Sequence, residues 1–228
     1  AGFINNATGR GELHSTIESA TPLLNAMFFS PRFIASRFNL LNPVKYATMP
    51  KAARKLAMQN VVAFVGFYAV IAAILGAAGA EEEEDPRSSD FGKFKFGNTR
   101  YDMLGGFAQP IRFLAQLITG QAKKNGVIKE LDGKKFPFET RADVALRFAR
   151  TKLSPSAGIV ADVLTGKDMV GKPVEWDAEL MKAAIPLWMQ DLDDAYKDGG
   201  ASGVMTSAIP SIFGVGVQTY DNDKKQAR

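Results

Sequence analysis

Leu56 to Ala80 reads LAMQNVVAFVGFYAVIAAILGAAGA and contains no charged residue. Lys51, Arg54 and Lys55 stand just before it, and Glu81, Glu82, Glu83, Glu84 and Asp85 just after. No other stretch of the chain stays apolar for so long. At ~1.5 Å per residue, a helix over Val61–Ala80 spans about 30 Å, the depth of a bilayer core. The flanks are sorted by sign, as the positive-inside rule expects when the N-terminal side faces the cytoplasm. Acids after a helix oppose its macrodipole, so this arrangement suits a buried soluble helix poorly. The candidate packing or membrane residues are Val61, Phe64, Phe67, Tyr68 and Ala69, followed by Ile71, Ala73, Ile74, Leu75 and Gly76. Small residues four apart (Ala69 and Ala73, Ala72 and Gly76, Gly76 and Ala80) let helix backbones approach closely. Two settings fit this stretch: burial among other helices, of this chain or of neighbouring copies, and insertion in lipid.

The remainder is ordinary by comparison. The chain has 228 residues, 46% hydrophobic and 23% charged, so a second spanning segment is absent and a globular core is expected around the long helix. The net charge of +4 permits contact with nucleic acid or anionic lipid without demanding either. Without cysteine there are no disulfides, zinc–thiolate sites or thiol nucleophiles. His14 is the single histidine, which leaves no histidine-based metal cluster. No phosphate-binding loop of the G-x-x-x-x-G-K-[ST] type occurs, and serines such as Ser154 sit in helix-cap contexts. The expectation is therefore a protein without catalytic residues, metal or cofactor. The chain opens Ala-Gly-Phe, without Met or a signal peptide, which suggests a piece of a longer or processed polypeptide.

Working outward, three regions are expected: an N-terminal loop and amphipathic helices over 1–50, the long helix over 51–80, and a helical C-terminal region over 81–228. Residues 1–12 are rich in Gly and Asn and read as loop. Pro22 divides a helical stretch over 13–29. Ser30-Pro31 predicts a capped helix start, with Phe33, Ile34, Phe38, Leu40 and Leu41 on the apolar side. Residues 81–90 read as a solvated acidic linker. Phe94 and Phe96 alternate with Lys93 and Lys95, Gly97-Asn98 turns, and Thr99, Tyr101 and Met103 alternate with Arg100 and Asp102, a β-hairpin pattern within about 91–104. A helix from Phe107 stops at Gly120. Residues 121–138 read as an exposed basic loop with room for a second short hairpin at Asn125-Gly126. Thr140 and Ser154 each cap a further helix, the second stopping at Gly166. A loop over 166–175, a helix over Ala178–Tyr196 broken or kinked at Pro186, a Gly-rich apolar stretch over 201–220 and a frayed tail complete the chain. Asp191, Asp193 and Asp194 read as acids on a solvated helix face. The fold class is mainly α: a helical domain with one long apolar helix and a small β-hairpin.

Several of these stretches, in this order, resemble the C-terminal region of large bacteriophage internal virion proteins, the ejection proteins that carry polyvalent-protein associated domains. They are Asn6-Ala7-Thr8-Gly9-Arg10-Gly11, Phe29-Ser30-Pro31-Arg32, the apolar helix, and Phe96-Gly97-Asn98-Thr99-Arg100 with Asp102 and Gly105-Gly106. Farther along come Arg147-Phe148 with Lys152-Leu153-Ser154-Pro155, Asp162 with Gly166, and Phe213-Gly214-Val215-Gly216-Val217-Gln218-Thr219-Tyr220. The resemblance covers nearly the whole chain. It implies a non-enzymatic module held in the virion interior and later in the host envelope. Its implied partners are further copies of itself, other virion proteins of the portal, tail or ejection apparatus, the host membrane during delivery, and non-specific genomic DNA. The alternative is a single-span inner-membrane or membrane-active protein outside a virion.

Overall fold

The computed structural model describes residues 2–124, 126–134, 139–166, 173, 196, 200, 202, 205 and 215–219. The architecture is mainly α with short antiparallel strands. The chain divides into two compact units: Ala1–Val65 with Arg141–Glu179, and Gly66–Thr140 with Leu180–Arg228.

In the first unit, α1 (Gly2–Ala7) packs on α4 (Pro31–Leu41). Residues 1–12 are thus not loop throughout. Local composition argues against a helix at Asn5-Asn6, but tertiary contact overrides it. Asn6 is buried, and the Asn39 amide donates to Asn6 Oδ1 at 3.1 Å and to the Glu12 carbonyl at 3.2 Å. Gly11 lets the chain lie on α4: its N–H donates to the Arg32 carbonyl at 3.0 Å, and an added Cβ would stand 2.3 Å from Ser36 N. Short helices α2 (Ser15–Glu18) and α3 (Thr21–Met27) follow, with Pro22 in the first turn of α3, where its missing N–H costs nothing. α5 (Pro43–Ala47) is capped by Asn42, whose side chain accepts from Val44 N at 3.0 Å.

The two Ser-Pro starts differ. At α9 (Pro155–Thr165), Ser154 is extended and its Oγ accepts from Ala157 N at 3.2 Å, a true cap. At α4, Ser30 is left-handed (φ 52°) and makes no cap bond, contrary to expectation. The reason lies one residue earlier. Phe28 bridges Leu153, and Phe29 N donates to the Lys152 carbonyl at 2.8 Å. The chain leaves this extended pairing and enters α4 within one residue, which only an unusual backbone angle allows. Ser154 also ties α9 to α3, donating from N to Met27 O at 2.8 Å and from Oγ to Ala26 O at 2.5 Å. α8 (Arg141–Arg150) meets α4 through Phe148 and Phe38, 5.9 Å apart edge to face, while Arg150 pairs with the buried Asp162 of α9 at 2.5 Å. Within α8, Val144 is buried and Leu146 is exposed.

The second unit carries a four-stranded antiparallel sheet in the order β1-β2-β3-β6: Glu81–Glu82, Lys93–Phe96, Thr99–Asp102 and Gly216–Thr219. Phe94 stands opposite Tyr101 and Phe96 opposite Thr99, with Gly97 left-handed (φ 55°) in the connection. The sheet corrects two expectations. The acidic stretch is not a free linker: Glu81 and Glu82 pair with Lys95 and Phe94 as an edge strand. Part of the Gly-rich stretch over 201–220 is likewise a strand, with Val217 opposite Tyr101. After left-handed Gly105 and Gly106 comes α7 (Ala108–Thr119), closed by left-handed Gly120. The segment after it is structured too: β4 (Gln121–Lys124) pairs with β5 (Val127–Glu130). Phe94, Leu104, Ala108, Pro110, Ala122 and Leu131 are buried in this unit. The helix expected over Ala178–Tyr196, the loop over 166–175, the acids Asp191, Asp193 and Asp194 and the C-terminal tail lie outside the described residues, apart from the isolated positions named above.

Candidate membrane-spanning or packing helix

α6 runs from Lys51 to Ala77, 27 residues, and its charges end at Lys55. From Leu56 to Ala77 it is uncharged over about 33 Å at ~1.5 Å per residue. It stops short of Ala80 because Gly79 turns left-handed (φ 91°). Gly79 N then donates to Gly76 O at 3.0 Å and Ala80 N to Leu75 O at 2.9 Å, the two bonds of a Schellman closure.

None of its most apolar 18-residue window is buried. The ten residues singled out from sequence fall into two sets. Val61, Tyr68, Ile71 and Leu75, joined by Ala72, are half-buried along one side. Phe64, Phe67, Ala69, Ala73, Ile74 and Gly76 are exposed, with Val62, Val65 and Val70 beside them. Phe67 is 62% exposed and Val62 65%, far beyond the isolated surface apolar residue that needs no explanation. A Cβ added at Gly66 or Gly76 would meet nothing within 4 Å. Gly66 and Gly76 therefore face open space.

Periodicity reads Tyr68 as apolar bulk, but its hydroxyl makes contacts that periodicity does not reveal. Its ring tilts against Phe94, which is 1% exposed, at 5.7 Å between centroids. Its Oη lies 2.5 Å from Glu82 Oε1 and 3.1 Å from the Gly92 carbonyl, one proton shared by two acceptors. Gly92 has φ 67°, and a Cβ there would stand 2.2 Å from Leu104 Cδ1, so any side chain is strained and displaces Leu104.

Four of the five acids behind the helix have partners, Glu82 at Tyr68 and the other three at basic side chains. Lys95 pairs with Glu81 at 2.9 Å and holds its carboxyl below the usual range. Arg87 grips Asp85 through two side-chain contacts of 2.9 Å and holds its carboxyl at about 2. Lys123 pairs with Glu83 at 2.8 Å. These contacts spread the negative run across the sheet unit instead of leaving it at the helix terminus.

In the first unit an apolar groove of about 290 Å³ runs along α4 and α8, lined by Phe28, Pro31, Ile34, Phe38, Phe148 and Lys152. The stretches that carry the resemblance meet at Gly11 with Arg32 and in two further places. Phe29-Ser30-Pro31 abuts Lys152-Leu153-Ser154, and Thr99-Arg100 runs beside Gln218-Thr219. Among the described residues no three His, Asp or Glu side chains converge as a metal site would require. No protein-family model, curated protein or solved structure matches this chain.

Proposed function

We propose that this chain is a module of a bacteriophage virion ejection protein that packs around the portal or tail and assists genome delivery across the host envelope, without a chemical step of its own. The observation that carries the reading is α6: a spanning length of uncharged helix with none of its most apolar window buried. Such a surface is not stable in water and is covered by lipid or by protein. A particle protein that meets a membrane on delivery needs a helix able to accept both covers. Lys51, Arg54 and Lys55 fit the cytoplasmic end, and the acidic run fits the other. The ordered set of motif stretches supports the virion assignment.

The same helix and flanks favour a second reading, a single-span inner-membrane protein outside any virion. Mass spectrometry of purified particles separates the two. The virion reading predicts peptides of this chain at several copies per particle. Recovery only from the detergent-extracted membrane fraction of uninfected cells refutes it.

A further inference from the structure

The contacts of Tyr68 bear on how α6 reaches lipid. Tyr68 lies about 18 Å along the helix from Leu56, at ~1.5 Å per residue, and so near the midpoint of the uncharged run. Glu82, whose carboxylate touches the Tyr68 hydroxyl, belongs to an edge strand with Glu81 beside it and Lys95 opposite. If this contact persisted while α6 spanned a bilayer, at least one carboxylate and a stretch of sheet edge would sit at the depth of the hydrocarbon centre. Lipid-exposed open strands do not occur there, and charges there are rare and costly.

Resting on the membrane reading of α6, we propose that the docking of Tyr68 on Glu82, Gly92 and Phe94 and full insertion of the helix exclude each other, so that this contact is the catch that holds α6 out of lipid. In the closed state the side carrying Tyr68, Ile71, Ala72 and Leu75 is half-covered, and the side carrying Val62, Val70 and Ile74 is left open. That open side makes the first contact with a membrane surface. Opening the catch then frees the covered side, and the helix becomes apolar all round. A single shared proton to a carboxylate suits this role, because it is directional enough to fix the closed state and weak enough to be outweighed by burial of the helix in lipid.

The test uses vesicles of phosphatidylethanolamine and phosphatidylglycerol, reading the fraction of protein that resists sodium carbonate extraction. Tyr68→Phe keeps the ring on Phe94 and removes the hydroxyl; it should raise the inserted fraction relative to the free protein roughly tenfold, the scale of a hydrogen bond to a charged acceptor. Because the chain has no cysteine, Tyr68→Cys with Glu82→Cys offers one defined pair for a short cleavable thiol cross-linker. The cross-linked protein should resist insertion and regain it once the linker is cut. Equal insertion of cross-linked and cleaved protein, with Tyr68→Phe matching the native chain, overturns the catch and leaves the membrane reading standing. Failure of every form, cleaved and native included, to insert overturns the membrane reading and the catch with it.

Discussion

Ala69→Arg separates the stability of the fold from the fate of the helix. Ala69 is exposed on α6, about 100° around the helix from Tyr68, so an arginine there meets water and not a packed neighbour. The fold should tolerate it within about 0.5 kcal/mol, as surface substitutions generally do. In a bilayer the same position lies about 12 Å from Val61 and about 16 Å from Ala80, at ~1.5 Å per residue, hence close to the centre. An arginine at the centre of a spanning helix costs about 2.5–3.5 kcal/mol on insertion scales. That corresponds to a partition constant lowered roughly 60- to 300-fold, taking about 1.4 kcal/mol per decade. The assay is flotation of the purified chain with vesicles across a range of lipid concentration, with Ala69→Leu as a control of similar reach and no charge. Thermal unfolding of both variants should match the native protein. If Ala69→Arg floats within threefold of Ala69→Leu, the helix does not place Ala69 in hydrocarbon and the argument from length and charge is wrong.

Three further outcomes follow from contacts in the two units. Gly11→Ala should lower the stability of the first unit by about 1–3 kcal/mol in denaturant unfolding, since its methyl would meet Ser36 N at 2.3 Å and force the loop off α4. Ser154→Ala should cost about 1–2 kcal/mol by the same measurement, removing both the cap on Ala157 and the tie to Ala26. Ser30→Ala, where no cap bond exists, should cost markedly less. The Asp85 carboxyl is lowered from 3.8 to about 2 by Arg87, so its contribution is complete above the ordinary pKa and drains away as pH falls from about 4 through about 2. Arg87→Gln should remove that part of the acid dependence, as read by unfolding between pH 5 and 2.

The helical class and the long apolar helix were legible because both rest on local signals: apolar runs, Pro and Gly punctuation, and charge. Gly120 and Gly166 close their helices as their positions suggest, whereas Gly79 ends the long helix before the expected Ala80. What was hidden depends on residues far apart in sequence. Ser30 and Ser154 carry the same dipeptide, yet only Ser154 caps, because pairing of Phe28 and Phe29 with Leu153 and Lys152 fixes the backbone entering α4. Glu81-Glu82 looks like solvated charge until Lys95 and Phe94 are brought opposite. Gly216–Thr219 carries the β-branched Val217 and Thr219 within a Gly-rich stretch and becomes a strand by pairing with β3. Asn6 reads as a turn residue and is instead buried through its bond with Asn39. For α6, local signals place the helix to within three residues of its C-terminal end but leave its faces undetermined. A helix apolar all round shows no preferred side, so the division between the Tyr68 side and the open side came only from the sheet.

The central claim is that the open side of α6 is water-exposed in the free protein and covered by lipid on delivery. Single cysteines at Val62, Ala69 and Ala73, introduced one at a time into a chain that has none, test this most directly with a water-soluble maleimide. All three should label readily in the free protein and become protected when anionic vesicles are added, while a cysteine at Lys51 stays reactive. Unchanged labelling at Val62, Ala69 and Ala73 with lipid present would contradict the account.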